Sequence, residues 1–278
     1  MSAAIRDFAP ALAAQIDKIS QLPFIRYVNE TVWIFAIVET AHLLFLAILG
    51  GAVLILNLRL LGATLGGLPA REVERATRPW LITGIAGTVA TGFAMGLTAV
   101  NTMLGSAAFL VKMVALVAAI LFSLAVVRAA RRDDPATADA GAGGSVLAVF
   151  ATIWWLASLW LFMAGEGLRS GAFLVALAGF VLFAALTTRW RRLYLLGLAA
   201  ILGGGILAVE WISGDGAQGP VWLPFAPIIG ATALVAAVSA LERREPGRVA
   251  SSPARLTAFA STLAWITVAA AGRWIGFS

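Results

Sequence analysis

A chain of 278 residues that is 61% apolar and 12% charged, with no cysteine, one histidine and a formal net charge of +6, departs from soluble domains, where roughly 45–50% apolar and about 25% charged is usual. Its mean hydropathy is +0.93, and eight apolar runs at about 20 residues each would take up roughly 160 residues, too many to leave an independent extramembrane domain. Structural disulfides, thiolate metal sites and thiol catalysis are excluded, and a single histidine excludes a two-histidine haem or multi-histidine metal site within one chain.

The first 27 residues carry Phe8, Leu12, Ile16 and Ile19 at helical spacing, with Asp17 and Lys18 off the stripe. This predicts an amphipathic helix lying on the outer membrane surface, or else a flexible N-terminus, rather than a cleaved signal peptide. Apolar runs then predict eight transmembrane helices, at about 30–58, 79–101, 107–130, 145–165, 170–188, 192–212, 225–242 and 256–275. The expected fold is an all-α polytopic bundle, divided by chain order into the segment 1–27, a four-helix unit at 28–167 and a second at 168–278. The polar stretch from Asp133 to Gly144 reads as a flexible connection between the third and fourth spans.

Basic residues sort by loop. Arg59, Arg71, Arg75 and Arg78 follow the first span; Arg128, Arg131 and Arg132 the third; Arg189, Arg191 and Arg192 the fifth; Arg243, Arg244, Arg248 and Arg255 the seventh. The alternate loops hold only Arg169. The positive-inside rule then places both termini on the periplasmic side of a bacterial inner membrane. The basic clusters mark orientation in a lipid bilayer and do not point to nucleic acid. Trp33, Trp211, Trp222 and Trp274 fall at the expected outer interface and Trp80 and Trp190 at the inner one, whereas Trp154, Trp155 and Trp265 read as packing residues.

A weak internal repeat runs through the same elements. Gly84 and Gly92 follow Arg78 at the intervals at which Gly197 and Gly205 follow Arg191, which suggests a parallel four-plus-four duplication carried by spans two to four against six to eight, with nothing to match the first span to the fifth and chance similarity of Gly- and Ala-rich helices as the alternative. The Gly92-x-x-x-Gly96 spacing predicts a close-packing helix face.

Ionisable residues inside spans cost at least about 2.5–3.5 kcal/mol on insertion scales, so they are paired or functional. Glu39 and His42 share a face of the first span; Lys112 enters the third; Glu166, Glu210 and Arg273 lie near outer ends. Every conspicuous intramembrane charge is thus expected in the outer half, and the inner halves are expected to hold none. Met95, Met103, Met113 and Met163 fall there too. Imidazole with thioether suits Cu(I), or haem iron with one histidine and one methionine. His42, Met113 and Met95 are the expected metal ligands, with Glu39, Lys112, Arg273 and Glu210 as supporting or ion-pairing residues. The bland reading is a hydrogen-bonded core histidine, a snorkelling Lys112 or a Glu39–Lys112 pair, and packing methionines.

The segments "VNETVWIFAIVETAHLLFLAILGGAVLILNLRLLG", "RPWLITGIAGTVATGF", "AAFLVKMVALVAAILFSL" and "WITVAAAGRWIGF" resemble a bacterial family of small integral membrane proteins of unknown function. The likeness rests on the E-x-x-H, L-R-L-L-G, F-x-x-K-M and G-R-W motifs. It covers about 28–130 and 256–277 and, because usual members have four helices, leaves the fourth to seventh spans as additional material. The family is distantly similar to copper-resistance protein D and membrane cytochrome b bundles. The resemblance implies the bundle and the Glu39, His42, Lys112, Arg273 constellation, and it supplies no activity. The family pattern often has an acidic residue where Asn57 stands, and a second histidine near Val126, Val127 and Arg128 that is missing here.

Three functions are compatible with these residues: a redox- or metal-linked membrane protein with haem b or copper on His42; a non-catalytic accessory or anchoring subunit of a larger membrane complex, or a homodimer; and a small-solute or ion carrier. No hydrolase or phosphate-loop motif occurs, so no catalytic residue is assigned.

Overall fold

The structure is a computed structural model, and it describes residues 14, 18, 21–98, 106–132, 143–166, 174, 176–181, 190–213, 226–242 and 252–275. Among these there is no strand. Eight helices follow in chain order: α1 Pro23–Glu30, α2 Val32–Leu61, α3 Ala70–Thr98, α4 Ala107–Arg132, α5 Gly143–Glu166, α6 Arg191–Ser213, α7 Ala226–Glu242 and α8 Ser252–Trp274. Residues 176–181 are helical as well. The protein is an all-α bundle.

Five of these helices, α2, α3, α4, α6 and α8, are long and apolar enough to cross a membrane, as a membrane protein requires. α5 and α7 contain shorter apolar stretches, at Val146–Leu161 and Ala226–Val235. Most of the fifth expected span lies outside the described residues, as do Phe8, Leu12, Ile16 and Ile19 of the expected surface helix. α1 begins at Pro23, whose fixed φ and missing N–H suit the first helical position. It buries Ile25 and Val28 and leaves Phe24 and Tyr27 exposed.

α2 ends where its sequence says it must. Gly62 takes a left-handed conformation at φ 77°, the Gly62 amide donates to the Arg59 carbonyl at 3.1 Å, and the Ala63 amide donates to that of Leu58 at 2.9 Å. These two bonds make a Schellman stop. Arg59 Nε donates to the Leu68 carbonyl at 2.7 Å and ties down the following loop. The L-R-L-L-G motif is therefore a helix terminator.

α2 and α3 form a tight antiparallel pair because glycine lets the backbones approach. A Cβ on Gly84 would stand 2.7 Å from Leu49 Cα, and one on Gly87 would enter the Phe45 ring. Gly197 and Gly205 occupy the same kind of close-packing position but face Leu234 and Pro227 of α7, the following helix, where Gly84 and Gly92 face the preceding one.

α8, which chain order assigns to the second unit, packs chiefly on α4 and α2 of the first. Polar side chains fix it there. Asn57 Nδ2 of α2 donates to Ser261 Oγ at 3.2 Å and Thr262 Oγ1 at 3.1 Å; Trp265 Nε1 donates to Ser123 Oγ of α4 at 2.9 Å; Trp155 Nε1 of α5 donates to Thr267 Oγ1 at 3.2 Å. In bilayers such interhelical bonds average about 0.6 kcal/mol and reach about 1.7. Trp265→Phe, which keeps the ring and loses the donor, is expected to lower stability within that range, as read by unfolding in mixed detergent micelles.

Candidate functional site

His42 lies ten residues into α2, on the face that carries Leu49, Val53 and Leu56 into the core, and is 7% exposed. Its Nδ1 is 2.8 Å from Thr91 Oγ1 of α3. The direction of that bond follows from the next one: Thr91 Oγ1 has one proton and gives it to the Gly87 carbonyl at 2.6 Å. With that proton spent, Thr91 Oγ1 offers the ring an acceptor, an arrangement that suits a proton on Nδ1 and a lone pair on Nε2. Gly92 lies beside the ring edge, where a Cβ would stand 3.2 Å from His42 Cε1. The stripe Thr88, Thr91, Gly92 and Met95 thus runs along the α3 face turned to α2.

Lys112 comes to the same place from α4. Ser106 Oγ accepts the Phe109 amide at 3.4 Å at the start of that helix, and Lys112 follows one turn later against α8, 3.6 Å from where a Gly272 Cβ would stand. Both Lys112 and Glu39 lie within Coulombic reach of His42. Three separated motifs, E-x-x-H, F-x-x-K-M and G-R-W, therefore converge at one end of the bundle.

The other expected members differ in their placement. Glu39 is exposed, and no Glu39–Lys112 ion pair occurs among the described residues. Arg273 is exposed one residue beyond Gly272; Glu210 is exposed on α6, which packs chiefly on α7. Met95 and Met113 are half-buried on α3 and α4. Met103 and Arg169 lie outside the described residues, as do the side chains of Met163 and Glu166. Among the described residues no group of three or more His, Cys, Asp or Glu could hold a metal ion.

Buried charge is not confined to the His42 end. Glu74, 1% exposed, accepts from Arg78 through Nε and Nη2, both at 2.8 Å, and from Arg131 Nη2 of α4 at 3.2 Å. Apolarity alone starts the second span at about 79 and puts Glu74 in a loop; α3 starts at Ala70 and carries Glu74 into the bundle. The Glu74-x-x-x-Arg78 spacing was the available signal. Asn57 is also buried, and its Oδ1 has no hydrogen-bond partner.

The fold and site define an all-α helical bundle, with helices long and apolar enough to cross a membrane and a buried histidine towards one end. A family model described as a family of unknown function, DUF6644, matches residues 18–167. That is more than half of the 278 residues, and the chain belongs to this family. α8 lies outside the match yet supplies the Gly272 side of the site. No curated protein and no solved structure matches the chain.

Proposed function

We propose that the protein is a redox-linked protein of the bacterial inner membrane, with both termini periplasmic, that holds one haem b in the outer half of the bilayer on His42 Nε2. The observation that carries this reading is the contact of Thr91 Oγ1 on His42 Nδ1: with Thr91 itself tied to Gly87, it favours the tautomer that leaves the lone pair on Nε2. Ligating histidines are oriented in this way, by a partner on the other ring nitrogen.

The donor set favours haem over a bare ion. A porphyrin brings four nitrogens of its own and needs one or two protein ligands, whereas a bare ion would draw every donor from the one histidine and the two thioethers, with no cysteine in the chain. Met95, one turn beyond Thr91 on the same α3 face, is the proposed sulfur ligand, with Met113 the other thioether at that end. Lys112, within Coulombic reach of His42, suits the anionic propionates. Bound haem would supply one-electron transfer.

The test is a dithionite-reduced minus air-oxidised spectrum of protein purified in mild detergent from its native membranes. A sharp α band that disappears in His42→Ala is the expected result. Thr91→Val should weaken retention of the haem about 10- to 100-fold. A flat spectrum with stoichiometric copper would transfer the site to Cu(I) on His42, Met95 and Met113. A flat spectrum without metal would overturn the reading in favour of an accessory subunit.

A further inference from the structure

α1 begins after the Phe8–Ile19 stripe, plays no part in the proposed haem site, and carries apolar pairs on two different faces. We infer that it is an interfacial membrane anchor, lying in the headgroup–acyl boundary beside the bundle with Phe24 and Tyr27 turned to lipid. Its placement follows from its junction with α2. Thr31 is the single residue between the two helices; its amide donates to the Val28 carbonyl at 3.2 Å and its carbonyl accepts the Ile34 amide at 3.0 Å. The neighbours Leu49–Gly84 and His42–Thr91 set the antiparallel register of α2 and α3, which brings Phe35 level with Thr98. A straight continuation of α2 would therefore carry α1 past the end of α3. α1 packs on both helices instead, so it bends across them at the His42 end.

The helix has three faces. At about 100° per residue, Ile25 and Val28 share one face, Phe24 and Tyr27 share another about 100° round the helix, and Arg26 lies about 130° from either. Ile25 and Val28 are buried, whereas Phe24 and Tyr27 are 72% and 57% exposed and Arg26 is exposed. A helix projecting into water has no use for the second face, and one sunk in hydrocarbon has none for the third. A helix lying along a bilayer boundary beside a bundle uses all three. The tyrosine suits that depth, with an apolar ring and a hydroxyl for the headgroup layer. Trp33, 63% exposed, follows in the first turn of α2, and exposed Ile37 and Leu44 continue the apolar surface along the span. The surface of α2 that needs lipid thus starts within a turn of α1, and the bilayer that covers it reaches the Phe24–Tyr27 pair.

The chain has no cysteine, so single cysteines in the full-length protein can carry a nitroxide label. Phe24→Cys, Arg26→Cys, Tyr27→Cys and, as a control inside the span, Ile37→Cys all lie at exposed positions. In phosphatidylcholine–phosphatidylglycerol nanodiscs, collisions with oxygen, which concentrates among acyl chains, are compared with collisions with a water-soluble nickel chelate. Labels at 24 and 27 should read depths of about 5–10 Å into the headgroup–acyl boundary, with the label at 37 deeper and the label at 26 on the nickel side. Nickel-dominated collisions at 24 and 27 would overturn the proposal in favour of a water-facing helix. Low collision rates with both probes there would overturn it in favour of a protein contact, such as a second copy of the chain. The labels report depth whether or not His42 holds haem, which keeps this result separate from the fate of that reading.

Discussion

Gly84→Ala is expected to be among the most damaging single-atom additions in the chain, costing about 3 kcal/mol or more, above the ordinary range for overpacking. The new methyl group would meet Leu49 Cα at 2.7 Å, and a backbone atom cannot rotate aside; α2 and α3 must part. Gly87→Ala should cost less, because its obstacle is the Phe45 ring, which can turn. Gly50→Ala and Gly51→Ala meet nothing within 4 Å and should be neutral or stabilising by up to about 1 kcal/mol through helix propensity. Unfolding of the variants in mixed micelles, followed by tryptophan fluorescence, checks this order. Equal effects at Gly84 and Gly50 would show that the α2–α3 contact is not backbone-limited.

The same contact couples fold to site. His42 is held by Thr91, and Thr91 by the Gly87 carbonyl. Any loosening of the pair that glycine closes also releases the imidazole. Gly84→Ala should therefore disturb whatever His42 binds in a protein that still inserts.

Much of this was legible in the sequence, for reasons that also mark where it stopped. Apolar runs and arginine-rich loops are properties of consecutive residues, so the helices of the bundle emerge from the chain alone. The convergence of His42, Lys112 and Gly272 was legible only through motifs and topology, which place them at one end without saying which touch. Glu39 shows the limit: helical spacing puts it near His42, yet whether it faces the core or the exterior depends on packing, and it is exposed. Glu74 shows the reverse. Hydropathy starts a helix where charge ends, but α3 begins earlier, since Glu74 can enter the bundle once Arg78 and Arg131 neutralise it. Likewise the central place of α8 rests on scattered partners, Asn57, Ser123 and Trp155, that no local pattern joins.

Glu74 also gives the second large expected effect, through an asymmetry. Removing both arginines, in R78A/R131A, leaves a carboxylate that is 1% exposed without either cation. Breaking a buried pair in this way costs about 3–5 kcal/mol. Removing the carboxylate instead, in Glu74→Gln, leaves two guanidiniums that are nearly half exposed and can turn to water or headgroups. The loss should then be nearer the 1–3 kcal/mol of a missing hydrogen-bond partner. E74Q/R78Q/R131Q should recover most of the deficit of R78A/R131A, because no charge remains to be desolvated. Equilibrium unfolding in mixed micelles at neutral pH measures all three. A triple variant as unstable as the double would mean that the arginines act through packing of their stems, and that the carboxylate is a consequence of their placement rather than its cause.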